Sequence, residues 1–197
     1  MKKQFSYLLC AAALLLSSPL VIAQSADLLQ KAKAGDAQAQ FKLAAVYLTG
    51  RGGPKNDDEA AKWFMLAAKQ GHAESQANIG LMYGRGRGVP QSDEEAVKWY
   101  RLSAEQGDID GMFNLAVMYD DGRGIAENQE EAVRLYRLGV AQNHVSSQSN
   151  LGYMYDHGRG VAQDSKEAFK WYMIAAEQGD ANSQFNVGSM YALGRGV

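Results

Sequence analysis

Residues 73–107 read AESQANIGLMYGRGRGVPQSDEEAVKWYRLSAEQG, and the same pattern returns along the chain with a step of 36 residues. Its tyrosine recurs five times, at Tyr47, Tyr83, Tyr119, Tyr155 and Tyr191. A Gly-Arg-Gly tripeptide begins three residues after each tyrosine, and its arginines are Arg51, Arg87, Arg123, Arg159 and Arg195. Self-similarity at a fixed period of about 20–50 residues predicts an array of stacked units.

Each unit divides into two amphipathic helices. In the first unit, helix A is predicted at roughly Ala37 to Leu48, with Leu43, Ala44 and Tyr47 on one apolar face. Helix B is predicted at roughly Asp57 to Lys69. One apolar column of helix B is predicted to be core, and it holds Trp63, Trp99, Leu135 and Trp171.

Capping residues mark the helix ends. A column of good N-cap residues precedes helix B, at Asn56, Ser92, Asn128 and Asp164. A glutamate follows each by three residues, which predicts four reciprocal capping boxes, at Glu59, Glu95, Glu131 and Glu167. Helix B ends where a left-handed residue is expected, at Gly71, Gly107, Asn143 and Gly179. The next helix A is predicted to be capped by Asp36, Asp108 and Asp180.

Small residues on helix A allow a second helix to approach closely. They are Gly80, Gly152 and Gly188, together with Ala44 and Ala116. Aromatic residues at 64, 100, 136 and 172 can fill the space between the layers. Because one helix pair cannot bury its apolar face alone, the units must stack. The sequence therefore predicts an all-α protein, an α/α superhelical solenoid of 36-residue helix-turn-helix repeats.

These columns resemble the Sel1-like repeat family, with the pattern A-x-x-x-L-G-x-x-Y-x-x-G-x-G-V and then E-A-x-x-W-Y-x-x-A-A-x-x-G. The tetratricopeptide repeat is the nearest alternative, but it has about 34 residues and a shorter turn. The resemblance implies a superhelical scaffold for protein complexes, of the exported bacterial type. The domains we expect are a signal peptide at 1–23, a capping helix at 24–34, and repeats at 35–70, 71–106, 107–142, 143–178 and, in part, 179–197.

The N-terminus is predicted to be a secretory signal. Lys2 and Lys3 form a basic start, and an apolar stretch from Tyr7 to Ile22 follows. Val21-Ile22-Ala23 places small residues where a signal peptidase cleaves, so we expect cleavage after Ala23 and a periplasmic or secreted protein. The rival interpretation is a membrane anchor, for which this stretch is short and polar.

Composition excludes several function classes. Removal of Lys2 and Lys3 leaves 18 basic against 22 acidic side chains, and such a mildly acidic protein is a poor candidate for nucleic-acid binding. The single cysteine, Cys10, lies inside the predicted signal, so the mature protein is expected to have no thiol. We expect a protein that does not span the membrane once the signal has been removed.

The sequence has no motif typical of an enzyme. We therefore predict that the protein is not an enzyme and that it binds no cofactor and no metal. It lacks G-x-x-x-x-G-K-[ST], S-x-x-K, G-x-S-x-G and H-E-x-x-H. His72, His144 and His157 do not have the spacing of metal ligands. Some secreted Sel1-like proteins carry a cysteine pair in every repeat and have been linked to penicillin binding, but this chain lacks those cysteines. Binding of peptidoglycan or another glycan, and β-lactam binding or hydrolysis, remain the alternatives to a protein-interaction scaffold.

A partner protein or peptide is predicted to bind in the concave groove, on helix A. Asparagine recurs beside the buried stripe and can bind a peptide backbone, whereas the alternative role for it is a structural bond to the neighbouring turn. Neighbouring columns vary between repeats, and columns that are free to differ are not needed for stacking. The partner-binding residues we predict are Glu74, Asn78, Asp110, Phe113, Asn114, Asn150 and Asn186.

Two further features have alternative interpretations. The five turn arginines either hold an acidic partner, or pair locally with acids such as Asp57, Glu94, Asp120, Asp121 and Asp156, or are simply solvated. In the last unit, Val187, Gly188 and Tyr191 have no following helix B to cover them. Such an end indicates either a truncated array or self-association with a second copy.

Overall fold

The computed structural model describes residues 19–51 and 54–197, and within those ranges the side chains from residue 26 onward. Ten helices and no strand occur in this part of the chain, which confirms the predicted all-α fold. They are α1 Pro19–Lys33, α2 Ala37–Thr49, α3 Asp57–Lys69, α4 Ala73–Arg85, α5 Asp93–Glu105, α6 Ile109–Asp121, α7 Gln129–Ala141, α8 Val145–His157, α9 Ser165–Glu177 and α10 Ala181–Leu193. The predicted signal peptide falls mostly on residues 1–18, which lie outside the described residues.

The helices form two layers. The even-numbered helices α2 to α10 are the helices A of successive repeats and form layer A, and the odd-numbered helices α3 to α9 form layer B. Each helix packs against its neighbours in sequence, and α4 also contacts α6 directly. Among the described helices, this is the one close contact within a layer, and it agrees with the prediction that layer A forms the inner side of the solenoid. Within residues 19–51 and 54–197, every helix is too short or too polar to cross a membrane.

The N-cap side chains of layer B accept the predicted hydrogen bond from the amide three residues later, but the glutamates do not return a bond to the N-cap amide. Asn56 Oδ1 accepts a hydrogen bond from the Glu59 amide at 3.0 Å. The reciprocal half of the predicted capping box is wrong, because the Asn56 amide donates to the carbonyl of Tyr47 at 3.0 Å. The Glu59 carboxylate instead binds Lys62 and the indole nitrogen of Trp63. The same amide-to-tyrosine bond recurs at Ser92, Asn128 and Asp164.

The turns from layer B to layer A follow the predicted chemistry. Asn143, with φ of 60°, is the one non-glycine residue of the described chain with a positive φ. Asp36, Asp108 and Asp180 accept a bond from the amide three residues later, which confirms their capping role. His72 caps in the same way through Nδ1, whereas the imidazole of His144 bonds the Ser147 hydroxyl.

Aromatic side chains of layer B fill the interior between the layers. Phe64, Tyr100, Tyr136 and Tyr172 are all buried. A Cβ on Gly80 would lie 2.8 Å from the Tyr100 ring, so the glycine is needed for this contact. The prediction for the tryptophan column is wrong in part. Trp63 and Leu135 are buried, but Trp99 and Trp171 are half-buried side chains that pack against the buried core.

The Gly-Arg-Gly turn joins each repeat to the one before it. In the second repeat, Gly86 ends α4 in the left-handed conformation, with φ of 63°. Arg87 then reaches back to Asp57 at the start of α3. A Cβ on Gly88 would lie 2.1 Å from the Asp57 carbonyl oxygen, so no larger residue fits. The tripeptide therefore has a structural role, because it fixes the contact between successive repeats.

A bond between two glutamine side chains adds to three of the stacking interfaces, near the other end of the helices. The Gln70 side chain donates to the buried Gln40 at 2.8 Å, and Gln40 donates to the Ala32 carbonyl at 3.0 Å. Gln106 bonds Gln76 in the same way. Hydrogen bonds of this kind satisfy the buried amide of each glutamine.

The last described helix is open on one side. Phe185, Tyr191 and Leu193 are 74%, 60% and 67% exposed. Tyr191 is thus exposed as predicted, whereas the equivalent tyrosines of the other repeats are half-buried; Val187 is half-buried against the core, and the position of Leu193 is exposed in every repeat. Self-association through this surface stays a prediction.

Candidate partner-binding groove

A row of open depressions runs along layer A, between α4, α6 and α8. We call this row the groove. Its depressions measure 280, 150 and 370 Å³. Small-molecule sites usually form one enclosed pocket of about 300–1,000 Å³. A series of shallow depressions on a concave face suits an extended partner better than a small ligand.

Four of the predicted binding residues meet in the first depression. Asn78, Asp110, Phe113 and Asn114 line it together with His144. Asn150 lines the third depression. Glu74 is exposed on α4, and Asn186 is half-buried on α10, but neither lines these three depressions. The structure thus gathers most of the set on one surface, while its binding role stays a prediction.

The asparagine side chains of α4 and α6 make structural bonds to the backbone one turn earlier, and their binding role stays a prediction. Asn78 Nδ2 donates to the Glu74 carbonyl at 2.8 Å, one turn earlier in its own helix. Asn114 makes the equivalent bond to Asp110. Each bond uses one of the two hydrogens of the amide. The side-chain oxygen and the second hydrogen can still serve a peptide backbone.

Phe113 belongs to both the groove and the stacking interface. Its ring lies 6.0 Å from the Tyr136 ring and 5.2 Å from the His144 ring of the next repeat. Phe41 packs against His72 in the same way, at 5.0 Å. The expectation that variable columns are not needed for stacking is therefore wrong here. The residue in this column covers the N-cap residue of the next helix A.

Four of the five turn arginines pair with carboxylates of the preceding repeat, which confirms the local-pairing interpretation for them, whereas Arg51 is exposed and forms no ion pair among the described residues. Arg87 and Arg123 bind Asp57 and Asp93 at the start of layer B helices. The Arg87 guanidinium hydrogen-bonds the Asp57 carboxylate and lowers its pKa. Arg159 and Arg195 bind acids at the end of layer A helices, namely Asp120 and Asp156.

Two depressions of the groove are the same site one repeat apart. A shared frame of four residues surrounds each, formed by Tyr100, Asn114, Met118 and Arg123 in one and by Tyr136, Asn150, Met154 and Arg159 in the other. We call them the Arg85 pocket and the Asp121 pocket, after the equivalent residues whose charge differs between them. The two residues at the end of the layer A helix are Gly84-Arg85 in the first pocket and Asp120-Asp121 in the second.

Sequence reasoning missed these two dipeptides, although a signal for them exists. They lie between the tyrosine and the Gly-Arg-Gly turn, a place that changes in every repeat. The series is Leu48-Thr49, Gly84-Arg85, Asp120-Asp121, Asp156-His157 and Ala192-Leu193. Variation beside an otherwise regular frame marks positions that can set specificity.

The side chains of the groove offer hydrogen bonds and apolar contact. Burial raises the pKa of Tyr100 to about 12, so its hydroxyl keeps its proton. Among the described residues, no group of three or more His, Cys, Asp or Glu side chains is placed to hold a metal ion.

The model of the Sel1 repeat matches residues 37–72, 73–108, 109–144, 145–180 and 181–197. The chain is similar to the crystal structure of c5321, described as a protective antigen present in uropathogenic Escherichia coli strains displaying an SLR fold. They share 40% identity and a TM-score of 0.81, over 87% of this chain and 37% of that one. A Sel1 repeat protein from Oxalobacter formigenes shares 33% identity and a TM-score of 0.79, over 85% and 66%.

This chain therefore spans less than two thirds of the length of either relative. Helicobacter pylori cysteine rich protein B has 18% identity and a TM-score of 0.50, over 65% of this chain and 95% of that one, which concerns the fold alone. No functionally curated protein matches the chain. Because the repeat model matches from residue 37 to residue 197, the chain belongs to the Sel1 repeat family.

Proposed function

We propose that the protein is an exported scaffold that binds a segment of a partner protein in the groove. Sel1 repeat solenoids are commonly protein-interaction scaffolds. The observation that carries the proposal is the meeting of Asn78, Asp110, Phe113 and Asn114 in one open depression. An aromatic face beside amide and carboxylate groups can both bury an apolar side chain and bond a peptide backbone.

Export is proposed from the N-terminal sequence. The basic start, the apolar stretch and the Val21-Ile22-Ala23 site support it. The similarity to a protein described as a protective antigen is compatible with a location outside the cytoplasm. Intact mass spectrometry of the periplasmic fraction tests it. We expect a chain that begins at Gln24, and a mass that retains residues 1–23 would contradict cleavage there.

The binding proposal is tested by affinity capture from cell-envelope extract. The bait is the wild-type protein, beside a groove variant, Asn78→Arg with Asn114→Arg, and an outer-surface control, Lys98→Glu. We expect a protein that wild type and the control enrich and that the groove variant loses, because two arginines occupy the depression. Far-UV circular dichroism checks that all three baits remain helical.

The outcomes separate the alternatives. Capture that disappears after muramidase treatment of the extract would indicate a glycan ligand in place of a protein. Hydrolysis of nitrocefin by the wild-type protein would indicate β-lactam chemistry. Equal capture by the groove variant would show that the groove is not the binding surface.

A further inference from the structure

The Arg85 and Asp121 pockets have the same frame and opposite charge. In the first, Arg123 is paired with Asp93, at 2.7 Å. Arg85 is exposed and takes part in no ion pair among residues 19–51 and 54–197, so its positive charge has no ion-pair partner there, and the carboxylate that lines the adjoining depression together with it is that of Asp110. Asp93 does not line the pocket, so the charged residues that line it are the two arginines, Arg85 and Arg123.

The second pocket carries the reverse charge. Asp120 is paired with Arg159 at 2.8 Å. Asp121, which occupies the place of Arg85, is exposed and takes part in no ion pair within the described chain. One negative charge without an ion-pair partner therefore lies one repeat away from the positive charge of Arg85.

The flanking repeats lack an unpaired Arg or Asp at these places. Leu48 and Thr49 occupy the equivalent places in the first repeat, and neither is charged. In the fourth, Asp156 is paired with Arg195, and the second position is His157, whose Nδ1 lies 3.0 Å from the Tyr153 carbonyl oxygen. The charged pair of pockets is thus a local feature at the centre of the groove.

Mutual neutralisation of Arg85 and Asp121 is the simplest alternative. The two side chains end adjacent helices, α4 and α6, yet they form no ion pair within 4 Å in the described structure. A partner that covers them must desolvate both charges, which is unfavourable unless it supplies the opposite charge to each.

We propose that the groove selects an extended peptide segment with an acidic side chain at Arg85 and a basic side chain at Asp121. This inference rests on the proposed function and specifies its ligand. Arginine binds a carboxylate with two parallel bonds, and the neighbouring Tyr100 hydroxyl is a further donor. The amides of Asn114 and Asn150 lie one in each pocket, where they can bond the peptide backbone.

The spacing of the two charges follows from the stacking. Packed helices lie about 8–10 Å apart, and an extended chain advances about 3.3 Å per residue. The acidic and basic side chains of the ligand are therefore separated by about three residues. A helical segment would need about six, because a helix advances only about 1.5 Å per residue.

Peptide selection tests this inference with random dodecapeptides displayed on phage. The baits are the wild type, Arg85→Asp, Asp121→Arg and the double swap, with Arg101→Asp as a matched control on the exposed surface of α5. We expect wild type and the control to enrich an acid–base pair about three residues apart. Arg85→Asp should lose the preference for the acid, Asp121→Arg should lose the preference for the base, and the double swap should reverse their order.

Affinity measurements extend the test to a single peptide. A peptide selected on wild type should bind Arg85→Asp about tenfold more weakly or worse, because a charge pair becomes a repulsion. Its affinity for Arg101→Asp should be unchanged. Added salt should weaken the wild-type complex, since exposed charges are screened.

Failures of the two proposals give different results. Peptides that compete with one another and lose binding to the Asn78→Arg, Asn114→Arg variant, but carry no acid–base pair, would overturn this inference alone. The same applies if the double swap leaves the selected sequences unchanged. If no peptide is enriched, or if the groove variant binds all of them normally, both this inference and the peptide-binding groove are wrong.

Discussion

Arg159 binds Asp120 of the preceding repeat through both Nε and Nη2, at 3.1 and 2.8 Å from the same carboxylate oxygen. The equivalent Arg123 binds a different position, Asp93 at the start of α5. Where the first residue of a layer B helix is an aspartate, as at 57 and 93, that aspartate pairs with the arginine. Where it is Gln129 or Ser165, an aspartate at the end of layer A replaces it. Each of these four arginines, Arg87, Arg123, Arg159 and Arg195, therefore has one carboxylate partner from one of two positions.

Asp120→Asn should destabilise the protein by about 1 kcal/mol, because it removes the carboxylate from a partly buried pair. Gln129→Asp should recover much of this loss, since it restores the arrangement seen at Asp93. Urea unfolding of both single variants and the double variant measures the coupling. Gln129→Asp also acts on the helix dipole, so only a larger gain in the Asp120→Asn background than in wild type indicates a new pair. An equal gain in both backgrounds would contradict the two-position interpretation.

Gly124→Ala should destabilise the array by more than about 2 kcal/mol. The residue has φ of 67°, and an added Cβ would lie 2.3 Å from the Asp93 carbonyl carbon. Gly107→Ala is the matched control, because its φ is 86° but nothing lies within 4 Å of an added Cβ. Its expected loss is about 1 kcal/mol, from backbone strain alone. Similar losses for both, in thermal unfolding, would show that the close approach at Gly124 does not matter.

Adjacent aromatic residues of α5 should differ in their contribution. Tyr100 is 3% exposed, and its truncation to Ala should reduce the free energy of unfolding by about 3–5 kcal/mol. Trp99 is half-buried, so Trp99→Ala should reduce it by about half as much or less. Chemical denaturation of both variants decides the order. A larger loss for Trp99→Ala would mean that the half-buried position, and not the interior of the layer, dominates stacking.

The repeat, the helix bounds and most caps follow from the sequence, because each depends on residues close together in one unit. Asn143 was recognisable as a helix end since it stands where three other units have glycine. Contacts between units could not be read in the same way. Whether Arg159 pairs with Asp120 or with another acid depends on the distances from its turn to α6 and α7, and these distances cannot be read from the residues of one repeat. The capping box failed for a related reason, because the Tyr47 carbonyl competes for the Asn56 amide.

The groove was predictable in part. Asn78, Asp110, Phe113 and Asn114 were identified from their columns, since helix A had to supply the inner layer. Arg85 and Asp121 were missed because they precede the recurring Gly-Arg-Gly turn, where a charged residue at a helix end has an ordinary structural explanation. Only the shared frame of the two pockets shows that they occupy equivalent places.

Stability should fall between pH 8 and pH 5 partly through His144. Burial lowers the pKa of His144, and the charge of Asp110 opposes this effect. The folded state thus favours the neutral imidazole, so this contribution is fully present above the ordinary pKa of about 6.5 and is lost as the pH falls below it. In urea unfolding at the two pH values, His144→Asn should lose less stability than wild type. A loss equal to that of wild type would show that His144 does not contribute.

The most direct test of the central claim is photo-crosslinking in cells with p-benzoylphenylalanine placed at position 114 or at position 101. Residue 114 lies in the groove on α6, and residue 101 lies on the exposed surface of α5. We expect position 114 to crosslink to a partner protein and position 101 not to. Crosslinks from position 101 with none from position 114 would contradict partner binding in the groove.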